Sequence, residues 1–130
     1  MAISSIRAEL SADIADVWAV VTSADGTWRS DLREIVPTDD KHFAEIDRSG
    51  FETRFTVTAF EPCSLYELDI ENENMTGHWT GKFTSANGRT IIEFTEDVTP
   101  KKALMKPFVK AFLKRRQTAY LRDLRKALEE

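Results

Sequence analysis

The sequence predicts an α+β fold in which a curved antiparallel sheet of about seven strands wraps on a long C-terminal helix. Three observations predict it. Residues 32–98 run as successive alternating segments separated by turn residues. Beyond residue 100 the apolar spacing changes to a helical period. The strands place apolar side chains on one face and charged ones on the other, so a single covering layer is required.

The elements follow in order. Residues 3–10, with Ile3, Ile6, Ala8 and Leu10, read as a first strand. Ser11 is a suitable N-cap, and Asp13 and Asp16 suit a first helical turn. Ile14, Val17, Trp18 and Val21 at helical spacing then predict a short helix over 12–22. Asp25-Gly26 marks a turn, with a second short helix expected around Trp28.

Six further strands are expected at 32–37, 42–48, 51–60, 64–73, 75–85 and 89–98. Asp39-Asp40, Ser49-Gly50, Glu61-Pro62, Asn72-Glu73-Asn74 and Asn87-Gly88 separate them. Asn87-Gly88 is the strongest hairpin signal, because a type I′ turn needs positive φ at both central residues. Phe51, Thr53, Phe55, Val57 and Ala59 share one face; so do Tyr66, Leu68 and Ile70, and likewise Ile92, Phe94, Glu96 and Val98.

Thr99-Pro100 offers an N-cap followed by proline at the first helical position. Pro107 should kink this helix or mark a second start. Stepping about 100° per residue puts Val109, Phe112, Leu113, Tyr120, Leu124, Ala127 and Leu128 on one broad arc, with Lys114, Arg115, Arg122, Arg125 and Lys126 opposite. The order is thus one strand, two short helices, six strands and one long helix.

At 130 residues the chain suits a single domain over 1–130, and its 42% apolar and 31% charged content excludes disorder. No basic segment precedes an apolar run at Met1–Ser5, and no stretch is apolar enough to cross a bilayer, so a cytoplasmic protein is expected. Cys63 is the only cysteine, and the two histidines, His42 and His78, lie far apart. No metal site and no cofactor are expected. Net charge is −4. Residues 101–130 hold ten of the eighteen Lys and Arg against three acids, giving +7 there and −11 over the rest. Either this is a solvated helix face beside an acidic sheet, or it is a surface for an anionic partner.

The order of elements, with Asp16-Val17-Trp18, Trp28-Arg29-Ser30-Asp31, Phe43-Ala44-Glu45 and the strand Thr90-Ile91-Ile92-Glu93-Phe94-Thr95-Glu96, resembles the START-like or SRPBCC superfamily. Within it the chain is similar to the polyketide cyclase/dehydrase-like branch, whose helix-grip fold is that of the birch pollen allergen. The resemblance spans the whole chain and implies a cavity between sheet and helix for a small hydrophobic or amphipathic ligand. Lipids, polyketides and aromatic metabolites are the classes it suggests.

Arg116 is the most informative single residue. It lies near the centre of the apolar arc, between Phe112 and Tyr120, where an unpaired guanidinium is costly. It either meets a ligand's anionic group, or forms an internal salt bridge, or snorkels. Glu96 and Glu45 are its natural partners and also candidate proton-transfer groups. Trp28, Phe55, Tyr66, Trp79, Phe83, Phe94, Phe112 and Tyr120 are candidate aromatic walls, with Thr53 and Gln117 as polar handles. Gly77 and Gly81 flank Trp79 on its own face, where they relieve crowding. His78 alternates against Trp79 and is expected to point away from the cavity.

Three functional readings follow. One is a non-catalytic carrier of a small hydrophobic or amphipathic molecule. Another is a cyclase or dehydratase in which Glu96 or Glu45 moves a proton while Arg116 stabilises an oxyanion. A third is an interaction module that uses the basic helix. Nucleic acid is not an expected partner, since the aromatics are not interleaved with basic residues. A monomer or a homodimer is expected.

Overall fold

Alternation becomes one continuous antiparallel sheet in a computed structural model that describes residues 2–130. The strands are β1 (Ala2–Leu10), β2 (Leu32–Pro37), β3 (His42–Asp47), β4 (Glu52–Glu61), β5 (Leu65–Glu71), β6 (Met75–Ala86) and β7 (Arg89–Pro100). The helices are α1 (Ile14–Val21) and α2 (Lys106–Ala127), with a short 3₁₀ turn at Ala103–Met105. Strand order is β1-β7-β6-β5-β4-β3-β2. The meander from β2 to β7 uses short turns. At the last of these, Asn87 (φ 54°) and Gly88 (φ 78°) both adopt the expected positive φ. β1 and β2 are opposite edges, so α1 and the loop after it must carry the chain from one edge to the other.

α2 covers the apolar face through Val109, Leu113, Gln117 and Leu124, all buried, over a core that includes Leu10, Val17, Ile92, Phe94 and Val98. It also shields β1, an edge strand with backbone groups otherwise open to pairing. Gln117 Nε2 donates to Ser4 O (2.8 Å), Lys114 Nζ to Ser5 O, and Arg125 Nη1 to Glu9 O (3.3 Å). Part of the basic helix is therefore engaged with the sheet and is not simply solvated. No helix among the described residues is long and apolar enough to cross a membrane.

Four local expectations are corrected. The first concerns the start of α1, where Asp13, in extended backbone, takes the N-cap position in place of Ser11. The Ser11 and Ala12 amides donate instead to the Glu130 carboxylate at 2.9 and 3.1 Å. The second is the segment around Trp28, which forms turns and no second helix; Arg29 N bonds Gly26 O at 3.0 Å. In the third, Thr99 and Pro100 continue β7, opposite Thr76 and Met75, because extending the ladder competes with the local helix signal. The long helix starts at Lys106, with Pro107 in its first turn. The fourth is a register shift between Val57 and Ala59, which reverses side-chain parity. Ala59 then sits opposite Glu67, and Phe60 comes in beside Trp18 and Tyr66.

Candidate functional site

In the first half of α2 only Val109 and Leu113 are buried. Phe108 is 65% exposed and Phe112 46%, so Phe112 borders a groove and is not sealed in the core. That groove, about 610 Å³, runs between α2 and the sheet from β2–β4 to the β5–β6 turn and is lined by Thr53, Met75, Phe108, Val109 and Phe112 among others. On the other side of Arg116 and Glu45 is an inner chamber of about 220 Å³, walled by Trp28, Phe55, Tyr66, Leu68, Trp79 and Tyr120 and open to the surface past Ala24, Asp39 and Asp40. A small recess of about 60 Å³ adjoins it beside Phe94 and Gln117. Arg116 borders all three spaces, and Glu45 borders both larger ones.

The polar frame is centred on Arg29, a residue that sequence reasoning passed over. Arg29 is buried and forms a fork with Asp31 (Nε–Oδ1 and Nη2–Oδ2, both 2.9 Å). It also reaches Glu45 through Nη1–Oε2 at 3.2 Å and Nη2–Oε1 at 3.4 Å. Its guanidinium lies 4.8 Å from the Tyr120 ring centroid and 5.8 Å from that of Trp28. Burial opposes charge on Arg29, but Glu45 and then Asp31 more than offset it, so the guanidinium is held above its ordinary pKa. Asp123, buried on α2, accepts from Ser30 N (2.9 Å) and Ser30 Oγ (2.7 Å), which ties this loop to the helix. One signal was available for Asp123: it shares a helical stripe with Arg116 and Tyr120, inside the apolar arc.

This frame corrects the expected pairing. Glu45 is engaged by Arg29, which leaves neither of its oxygens free of a guanidinium contact. Among the described residues no carboxylate lies within ion-pair distance of Arg116, whose guanidinium rests 5.5 Å from the Phe112 ring centroid. Glu96, only 6% exposed, points into the same chamber and accepts no hydrogen bond from a described residue. Burial pushes its carboxyl above the usual glutamate range, with Arg116 the strongest opposing influence. Burial likewise raises the Tyr66 hydroxyl to about 12 and raises that of Tyr120.

The other candidates separate clearly. Trp28, Phe55, Tyr66, Trp79, Glu96, Arg116 and Tyr120 meet at the inner chamber. Thr53 lies on the groove and accepts from Asn72 Nδ2 at 3.1 Å. Phe94 reaches only the small recess. Phe83, expected on the wall, lines none of these spaces; it packs edge-on against Trp18 in the core, with ring centroids 4.9 Å apart. Gln117 is occupied by reciprocal bonds with Ser4. His78 points away from the chamber, between Asp69 and Glu67 at 2.7 Å each. A Cβ on Gly81 would sit 2.5 Å from the Trp79 ring, so glycine there lets Trp79 lie along its own strand.

A family model described as polyketide cyclase / dehydrase and lipid transport matches residues 1–129. No curated protein matches the sequence. Solved structures share the fold at low identity. A START superfamily protein from Mycobacterium smegmatis is 12% identical with a TM-score of 0.81, covering 98% of this chain and 97% of its own. A protein from Bacillus thuringiensis is 14% identical with a TM-score of 0.84, covering 99% and 100%. XoxI from Bacillus cereus is 16% identical with a TM-score of 0.81, covering 100% and 99%. The shared architecture is a seven-stranded antiparallel open sheet with a long C-terminal helix.

Proposed function

We propose, from the premise that this chain belongs to the polyketide cyclase/dehydrase and lipid transport family, that it binds a small amphipathic molecule between sheet and α2. An anionic or strongly polar group of that molecule would sit at Arg116. One observation carries this reading: a guanidinium without a carboxylate partner stands where the groove and the inner chamber meet. Apolar walls with a few convergent polar groups are the usual make-up of a small-molecule site. A ligand acid would give Arg116 the charge-assisted bonds it lacks.

The test uses two fluorescent probes that differ in charge, 1-anilinonaphthalene-8-sulfonate and uncharged N-phenyl-1-naphthylamine. A hydrogen bond to a charged group contributes about 1.5–3 kcal/mol, or roughly tenfold to a hundredfold in affinity. Arg116→Leu should weaken the sulfonate by at least about tenfold and leave the neutral probe within about twofold. Equal losses for both probes would remove Arg116 as the recognition group.

A second reading, proton transfer, is favoured by a separate observation: Glu96 and Arg116 share a chamber without pairing to each other. Glu96 would take a proton from the carbon beside a ligand carbonyl, Arg116 would hold the enolate oxygen, and the proton would return to carbon. Deuterium wash-in at C1 of 2-tetralone, followed by NMR, should then exceed the buffer rate and be lost in Glu96→Gln. A rate equal to buffer excludes this reading.

A further inference from the structure

Anion recognition at Arg116 leaves one buried carboxyl of the chamber without a task. Glu96 projects from β7, and its carboxyl takes no hydrogen bond from any described residue. No fully enclosed side-chain nitrogen or oxygen among the described residues lacks a partner, so the unbonded Glu96 oxygens open onto the chamber. A buried carboxyl with nothing to bond is costly to keep, and a hydrocarbon filling the chamber would strip it of water and give nothing back. A ligand that brings a donor restores the lost bond. Arg29 and Arg116 already line the same chamber, so a neutral donor such as a hydroxyl satisfies Glu96 without setting a third cation beside them. Size narrows the class further. A cavity of about 150 Å³ holds benzene, so about 220 Å³ suits one or two fused rings among the Trp79, Tyr66 and Tyr120 rings.

We infer that Glu96 is a specificity-determining residue, accepting a hydroxyl donated by a compact ligand of one or two rings seated in the inner chamber. This rests on the cavity reading above but is independent of Arg116. A site built around a buried acceptor rejects the analogue that lacks the donor, because the acceptor is then left dry and unpaired.

The probes are 2-naphthol and 2-methoxynaphthalene, which share a ring system and differ in the donated proton; binding is read from quenching of tryptophan fluorescence and by calorimetry. At a pH above the raised Glu96 value, where the carboxylate only accepts, the intact protein should prefer 2-naphthol by at least about tenfold. Glu96→Leu should bring the two probes within about twofold, with 2-methoxynaphthalene bound at least as tightly as before. Tyr66→Phe and Tyr120→Phe should each keep the preference. A preference that survives Glu96→Leu, or disappears with either tyrosine, overturns the assignment. If both probes bind equally to the intact protein, the inference about Glu96 fails and the cavity reading stands. If neither binds up to its solubility limit, both fall.

Discussion

Glu96 shows how one buried group ties stability to pH. Its carboxyl is pushed up in the folded protein by burial, against a value of 4.5 for an ordinary glutamate. Below that value it is protonated in both states and contributes no pH dependence. As pH rises above it, the unfolded chain ionises this group while the folded chain keeps its proton. The folded state then binds more protons, and stability falls with pH, by at most about 1.4 kcal/mol per pH unit. The fall ends once pH passes the raised value. Glu96→Gln cannot ionise, so urea unfolding should find the variant gaining on the natural protein from about pH 4.5 upward and then levelling off. His78 also has a raised pKa, but it is present in both proteins and cancels in the difference. A difference that stays flat from pH 4 to 8, or narrows as pH rises, would contradict a carboxyl disfavoured by burial.

Among the elements, what was legible in the sequence depended on whether the signal was local. Strand limits came within one or two residues, since alternation and turn residues are both local; Asn87-Gly88 fixes its hairpin without outside help. Thr99-Pro100 misled because two local rules competed, and the ladder that pairs Met75 with Pro100 prevailed. The shift at Val57/Ala59 leaves no mark in alternation, yet it decides that Phe60 and not Ala59 joins the apolar side. Arg116 could be found because a charge inside the apolar arc of a long helix breaks a regular pattern. Arg29 could not. It sits in a turn, and its partner Glu45 is on a strand whose position relative to that turn depends on the whole crossing from β1 to β2. Asp123 lies 93 residues from Ser30, so only the assembled fold reveals that it anchors the loop.

Across the whole molecule, α2 is fastened unevenly, and this is what leaves room beneath it. Its second half is held by buried Gln117 and Leu124, by Gln117 on Ser4, by Asp123 on Ser30 and by Arg125 on the β1 backbone. Among the described residues, no side chain of residues 106–113 forms a hydrogen bond or ion pair with the sheet; the first to do so is Lys114. Burial there is carried mainly by Val109 and Leu113, beside exposed Phe108 and Phe112. Few buried contacts mean a low local opening free energy, so the two halves should differ in amide protection. Hydrogen exchange followed by mass spectrometry should find amides 110–114 exchanging well before 119–125. A ligand in the groove touches Phe108, Val109 and Phe112, so saturating 1-anilinonaphthalene-8-sulfonate should slow the first set and leave the second unchanged. Uniform protection along α2, or slowing confined to 119–125, would mean that the helix is seated evenly and that the space under its first half is not where ligand binds.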